Sequence, residues 1–260
     1  MRRAFGGAAL ALGGPVALAA QASPAPARQE KPLIMLDPGH GGHDPGAIAL
    51  DGYYEKYIAL DAGLELRRML EYTGRYRVAM TRSRDVFVPL DHRVADAMDH
   101  KADLFLSLHC DHLPENNLRG ASIFTLSNNA TDKLAAALAQ DENGDDADSR
   151  QVASAPPQVA DILASLETRA TKISSHNLAQ DLAASFNGVV PMLPNPTRAA
   201  NFAVLRDPST PAALLEMGCL TNKRDESRLR NTAEREKLLW RVTAAINNYF
   251  GHAAQRRMAG

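Results

Sequence analysis

The chain has 260 residues, 45% hydrophobic and 23% charged, with a formal net charge of −1. That length and balance suit one globular domain with a packed core plus appendages. A total charge this close to neutral provides no strong field for nucleic acid or an anionic membrane surface.

In chain order, Arg2 and Arg3 precede an uncharged stretch rich in Ala and Gly, Ala4 to Ala20, and two Ala-x-Ala exits ending at Ala19 and Ala22. Basic head, apolar middle and small-residue exit are the parts of a secretory signal peptide, expected over 1–22. The stretch contains Pro15 and is too weakly apolar for a stable membrane span, which needs about 20 strongly apolar residues. Arg2-Arg3 with Phe5 leaves twin-arginine and general secretory export both open. Residues 23–31, rich in Pro, Ala and charge, read as an extended linker. The domain is expected over 32–251, with a tail at 252–260.

Leu33 to Leu36 is a short run apolar at every position, ending at Asp37-Pro38-Gly39, a turn signal. Such a run suits a strand covered on both faces. Tyr76–Met80, Leu104–Leu108 and Ala212–Leu215 read alike, with Ala121–Leu126 and the shorter Phe202–Leu205 as further strands. Helical spacing of apolar residues marks Glu55–Leu70 (Ile58, Ala62, Leu66, Met69), Leu90–His100, Val159–Phe186 and Glu234–Phe250. The acidic, then Pro-rich Asp141–Pro157 reads as an irregular loop interrupting the domain. Strand followed by helix, repeated, predicts a single α/β domain with a mainly parallel twisted sheet flanked by helices on both faces. In such sheets ligands bind beyond the carboxyl ends of the strands.

Chemistry-bearing residues sit at those ends. His40 follows the first strand, Glu55 starts the next helix, and His109 ends the strand Leu104–Leu108. Two imidazoles and one carboxylate are a ligand set of catalytic zinc hydrolases and leave a fourth position for water. Glu216 follows the apolar Ala212–Leu215 on the same rim, where a glutamate is out of character for a strand core. It is expected as the catalytic general base and then general acid. His43 and His112 fall near enough to touch substrate. His92 and His100 read as helix surface, and His252 as tail. Cys110 and Cys219 read as small buried side chains.

The segment Leu36-Asp37-Pro38-Gly39-His40-Gly41-Gly42-x-Asp44-Pro45-Gly46-Ala47 resembles the opening motif of N-acetylmuramoyl-L-alanine amidases of the amidase 3 type. Glu55-Lys56, Thr81-Arg82-x-x-Asp85, Leu90-x-x-Arg93, Ala102–His109, Arg119-Gly120-Ala121 and Leu215-Glu216-x-Gly218-x-Leu220-Thr221-Asn222 follow in the family's order. The resemblance runs from about Pro32 to Phe250. It implies one zinc ion held by His40, Glu55 and His109, a catalytic Glu216, and cleavage of the amide joining N-acetylmuramic acid to L-alanine in peptidoglycan. It also implies a periplasmic enzyme that separates daughter cells. An inserted helical segment, about 131–169, would lay an acid on the metal until a LytM-domain activator lifts it. Glu142 best matches that acid, with Glu167 in reserve. Arg82 and Arg93 are expected as structural partners of carboxylates such as Asp85. A monomer without nucleic-acid partners is expected. The alternatives are a zinc peptidase acting within the stem peptide and a non-catalytic wall-binding regulator.

Overall fold

The computed structural model describes residue 1 and residues 30–113, 117–144 and 161–259; of 161–167 and 256–259 only the backbone is described. The chain divides into two units, Met1–Glu30 and Lys31–Gly260, and every element named below belongs to the second. The expected signal peptide and most of the linker lie outside the described residues. Among the described residues no helix is long and apolar enough to cross a membrane.

Six strands form one sheet: β1 (Leu33–Pro38), β2 (Arg77–Met80), β3 (Leu104–His109), β4 (Ala121–Leu126), β5 (Met192–Ala200) and β6 (Ala212–Glu216), in spatial order β2-β1-β3-β6-β4-β5. Four of the pairings are parallel; β4 runs antiparallel to β6. The helices are α1 (Glu55–Tyr72), α2 (Leu90–Asp99), α3 (Lys133–Gly144), α4 (Asp161–Phe186), α5 (Lys223–Arg230) and α6 (Thr232–Ala259).

The apolar runs are explained by two cores, one on each face of the sheet. Successive strand side chains point to opposite faces. Ile34, Leu36, Leu104, Leu106, Leu108, Ala213 and Leu215 face a core built with Ile58 and Leu66 of α1, Leu178 and Leu182 of α4, and Leu238, Val242 and Ile246 of α6. Met35, Phe105, Phe124 and Leu214 face the other, against Ala97 of α2, Ala135 and Leu138 of α3, and Val204. A strand buried on both sides has no solvent face, so it shows no alternation.

Several elements depart from the sequence expectation. Phe202–Leu205 is not a strand: Ala203–Leu205 is a single 3-10 turn. A four-residue apolar run carries no length signal to separate the two. The strand in this region is β5, which the sequence hides behind Pro194 and Pro196. Proline cannot donate to a ladder and is tolerated because β5 lies at the sheet edge, where its pairing with β4 shifts register between Met192 and Thr197. Asp141–Gly144 is the last turn of α3, not loop, while 145–160 lie outside the described residues. The expected tail is continuous with α6, which runs to Ala259.

Candidate functional site

The parallel strands β1, β3 and β6 end on one rim, and the register shows how. Pro38 pairs with Leu108, and His109 pairs with Glu216. Paired residues on neighbouring strands share a face, so His109 and Glu216 stand side by side. His40 lies two residues beyond β1, in the left-handed region with φ 58°. A non-glycine residue holds such a φ only where its surroundings impose it. Here the imposition comes from Arg93, which donates from Nη2 to the His40 carbonyl (2.9 Å) and from Nη1 to Asp37 Oδ1 and the Pro38 carbonyl (both 2.8 Å). Arg82 adds bonds to the carbonyls of Pro38, Gly39 and Lys56.

Both arginines thus hold the loop, as expected, but Asp85 acts on Arg82 only through its charge and, among the described residues, hydrogen-bonds to neither arginine. It pairs with Lys56 at 2.9 Å and accepts from the Gly42 amide. The charge that pins the buried Arg93 is Asp37, which also accepts from Thr81 and Ser107. Burial raises the Asp37 pKa, but Arg93 and these hydroxyls outweigh it and hold the carboxyl below its usual range.

Four groups converge above the rim. His40 Nε2 lies 3.1 Å from Glu55 Oε2, and His109 Nδ1 lies 3.2 Å from Glu55 Oε1. The two imidazole nitrogens are 3.1 Å apart. Glu142, on the last turn of α3, places Oε2 3.1 Å from His109 Nδ1 and 3.7 Å from His40 Nε2. His40, His109 and Glu142 offer ligand atoms within 4.8 Å of one another, and Glu55 faces the same two nitrogens. The reserve candidate Glu167 lies on α4 among residues whose side chains are outside the description.

Two glycines are required for this closeness. A Cβ on Gly39 would lie 2.2 Å from the His109 ring, and one on Gly46 (φ +64°) 2.6 Å from Glu55 Oε2. The surrounding bonds orient each donor. Asp44 Oδ2 meets His40 Nδ1 at 2.8 Å, which puts the proton on Nδ1 and turns the Nε2 lone pair inward. Glu55 Oε2 accepts from the Ala47 amide (2.8 Å) and Oε1 from the Cys110 amide (2.7 Å). Cys110 therefore serves the site through its backbone; its buried thiol and that of Cys219 are free and pushed up, chiefly by burial.

Lone pairs and carboxylates aimed at one another in a buried pocket repel unless a cation or protons stand between them. Two imidazoles with carboxylates match the softness and ligand count of zinc, with Asp44 as the usual carboxylate behind a ligating histidine. The donor set thus fits a zinc ion.

Glu216 is fully buried, and among the described residues neither of its oxygens has a hydrogen-bond partner. Burial first, then Asp111, Glu142 and Glu55, push its pKa well above the ordinary carboxylate range. Asp111 is the residue the sequence reading passed over. It too is buried, with both oxygens unpartnered among the described residues, and its pKa is raised by burial, Glu142 and Glu55. Its position two residues beyond His109 was the available signal. Of the expected substrate neighbours, His43 packs on Phe87 with ring centroids 4.2 Å apart, and the exposed His112 lines a cavity of about 550 Å³ beside α3.

Comparison with known proteins identifies the family and the fold. The Amidase_3 family model, described as N-acetylmuramoyl-L-alanine amidase, matches residues 34–248. N-acetylmuramoyl-L-alanine amidase AmiC of Neisseria meningitidis is 34% identical over 244 residues, which cover 92% of this chain and 58% of that protein. AmiA of Salmonella typhimurium is 35% identical over 222 residues, 85% of this chain and 76% of AmiA. The chain therefore spans little more than half the length of AmiC. Among solved structures, AmiC2 of Nostoc punctiforme superposes with a TM-score of 0.60 at 24% identity, over 85% of this chain and 98% of that one, a likeness of fold. By the extent of the family match, this chain belongs to the Amidase_3 family of N-acetylmuramoyl-L-alanine amidases.

Proposed function

We propose that this chain is a zinc-dependent amidase that hydrolyses the bond between the lactyl group of N-acetylmuramic acid and L-alanine in peptidoglycan. One observation carries the reading: His40, His109 and Glu55 direct donor atoms into one buried point, with Glu216 beside His109 in register. His40, Glu55 and His109 would hold the ion. Zinc there supplies Lewis acidity toward the scissile carbonyl and lowers the pKa of a water.

The chain's own residues do the rest. Asp44 and the amides of Ala47 and Cys110 fix the ligands, so little reorganisation accompanies reaction. Glu216, its pKa raised by burial and neighbouring acids, takes the proton of the attacking water and returns it to the leaving nitrogen. The peptide departs as a free amine and the lactyl group keeps the new carboxylate.

Glu142 directs Oε2 at the two imidazole nitrogens, where on this reading the substrate carbonyl and water would have to enter. We read α3 as an autoinhibitory element, with Glu142 as its blocking acid. Asn143 supports this by clasping the Asn201 carbonyl (2.8 Å) and the Ala203 amide (2.7 Å), which anchors the end of the helix. A protein activator, for which the family's LytM-domain proteins are the expectation, would lift α3 during daughter-cell separation in the periplasm, after export on the signal at 1–22.

Digestion of purified cell wall tests the reading. The expected products are free stem peptides with an alanine amine and glycan bearing lactyl carboxylate, and a chelator should stop their release until zinc is restored. Cleavage within the stem peptide would assign a peptidase instead, and cleavage surviving complete zinc removal would refute the metal mechanism.

A further inference from the structure

The three loops that deliver the converging groups also build a second feature. The loop after β1 supplies Leu50, the loop after β3 supplies Asn117 and Arg119, the loop after β6 supplies Thr221, and the first turn of α5 supplies Lys223 and Arg224. Together they line a cavity of about 410 Å³ on the catalytic rim.

Its charge is one-sided. Asp225 is buried and committed: it pairs with Arg119 Nη2 at 3.2 Å and accepts from the Gly120 and Cys219 amides, stitching two of the loops together. Asp51 and Glu226, in the neighbouring hollow, are both taken by Arg230. Lys223 and Arg224 are exposed, and among the described residues neither side chain meets a carboxylate. α5 begins here, adding the positive end of its dipole. The wall also holds unused donor capacity: among the described residues, Thr221, only 4% exposed, has no partner for Oγ1, and Arg119 Nε has no acceptor. A buried donor left unmatched is costly unless something fills it.

We propose that this cavity is a carboxylate subsite, held by Arg119, Lys223 and Arg224, that receives a free carboxylate of the stem peptide during recognition of the wall. The assignment rests on the amidase reading above for its ligand. The peptide beyond the cleaved alanine bears carboxylates both at its γ-linked glutamate and at its terminus, and a guanidinium with flanking cations is the recognition chemistry they require. Leu50, more than half exposed on the opposite wall, offers the apolar contact for the peptide's carbon chain.

Binding of the tripeptide L-alanyl-γ-D-glutamyl-L-lysine to the full chain, followed by NMR titration, tests this without breaking a bond. Two further peptides, one amidated at the glutamyl carboxylate and one at the terminus, tell which carboxylate docks. The wild-type protein should bind the parent about tenfold more tightly than one of the amidated forms. The double variant Lys223→Gln/Arg224→Gln, at exposed positions, should keep its melting temperature and lose that preference. Thr221→Val should weaken the parent severalfold without altering the fold. Equal affinity for all three peptides, no binding by any, or a preference retained in the double variant would overturn the subsite. Because nothing is cleaved here, a failed subsite leaves the amidase reading intact, and a failed wall digestion leaves this result readable.

Discussion

Removal of the Glu142 carboxylate is the sharpest test of how α3 acts. The side chain lies 3.1 Å from His109 Nδ1 and 3.7 Å from His40 Nε2, and it contributes to holding the His109 pKa up against the effect of burial. A hydrogen bond to a charged partner contributes about 1.5–3 kcal/mol. At about 1.4 kcal/mol per decade, its loss raises the population of open site by roughly ten- to a hundredfold. The helix itself should stay folded, since Ala135, Leu138 and Ala139 are buried against the sheet and Asp132 pairs with Arg198. Glu142→Ala should therefore release soluble peptide from cell wall at least about tenfold faster than the parent, with no other protein present. Zinc content, measured by mass spectrometry of the native protein, should be unchanged. A rate within about twofold of the parent would refute the block as an energetic one. Loss of zinc with the carboxylate would make Glu142 a structural ligand instead.

Two further outcomes follow from the geometry. Gly39→Ala should abolish zinc binding, because its Cβ would fall 2.2 Å from the His109 ring; titration with zinc checks this, and near-parental affinity would contradict the packing. Glu216→Gln should lower wall cleavage by about 10²- to 10⁴-fold while retaining zinc. It also carries a pH signature in the metal-free protein. The native state binds the Glu216 proton more tightly than the unfolded chain, so stability is complete below the ordinary range, ~4.3, and falls as pH rises toward the native value. The glutamine cannot titrate, so its advantage in urea midpoint over the parent should widen with pH above that range; a difference independent of pH would refute the buried, unpartnered carboxyl.

Much of the frame was legible because burial on both faces leaves a direct mark. Leu33–Leu36, Leu104–Leu108 and Ala212–Leu215 read as strands since no position along them meets water. Turn glycines and residues out of character at strand ends marked His40, His109 and Glu216. β5 escaped because Pro194 and Pro196 give the signal of a loop, and only its place at the edge makes them tolerable. α5 escaped because its eight residues, KRDESRLR, bury a single apolar side chain, Leu229.

What the sequence determined by itself was the set of groups: two imidazoles and two carboxylates at element ends, each a property of a residue and its immediate neighbours. Tertiary structure alone decided how those groups meet. Glu55 faces both histidines because the Ala47 and Cys110 amides, from loops 8 and 55 residues away, aim its oxygens. Glu142 enters the same point because α3 packs on the sheet and Asn143 ties it to the chain 58 and 60 residues on. Such contacts depend on distance in space, and a linear pattern carries no record of that until the sheet has set its register.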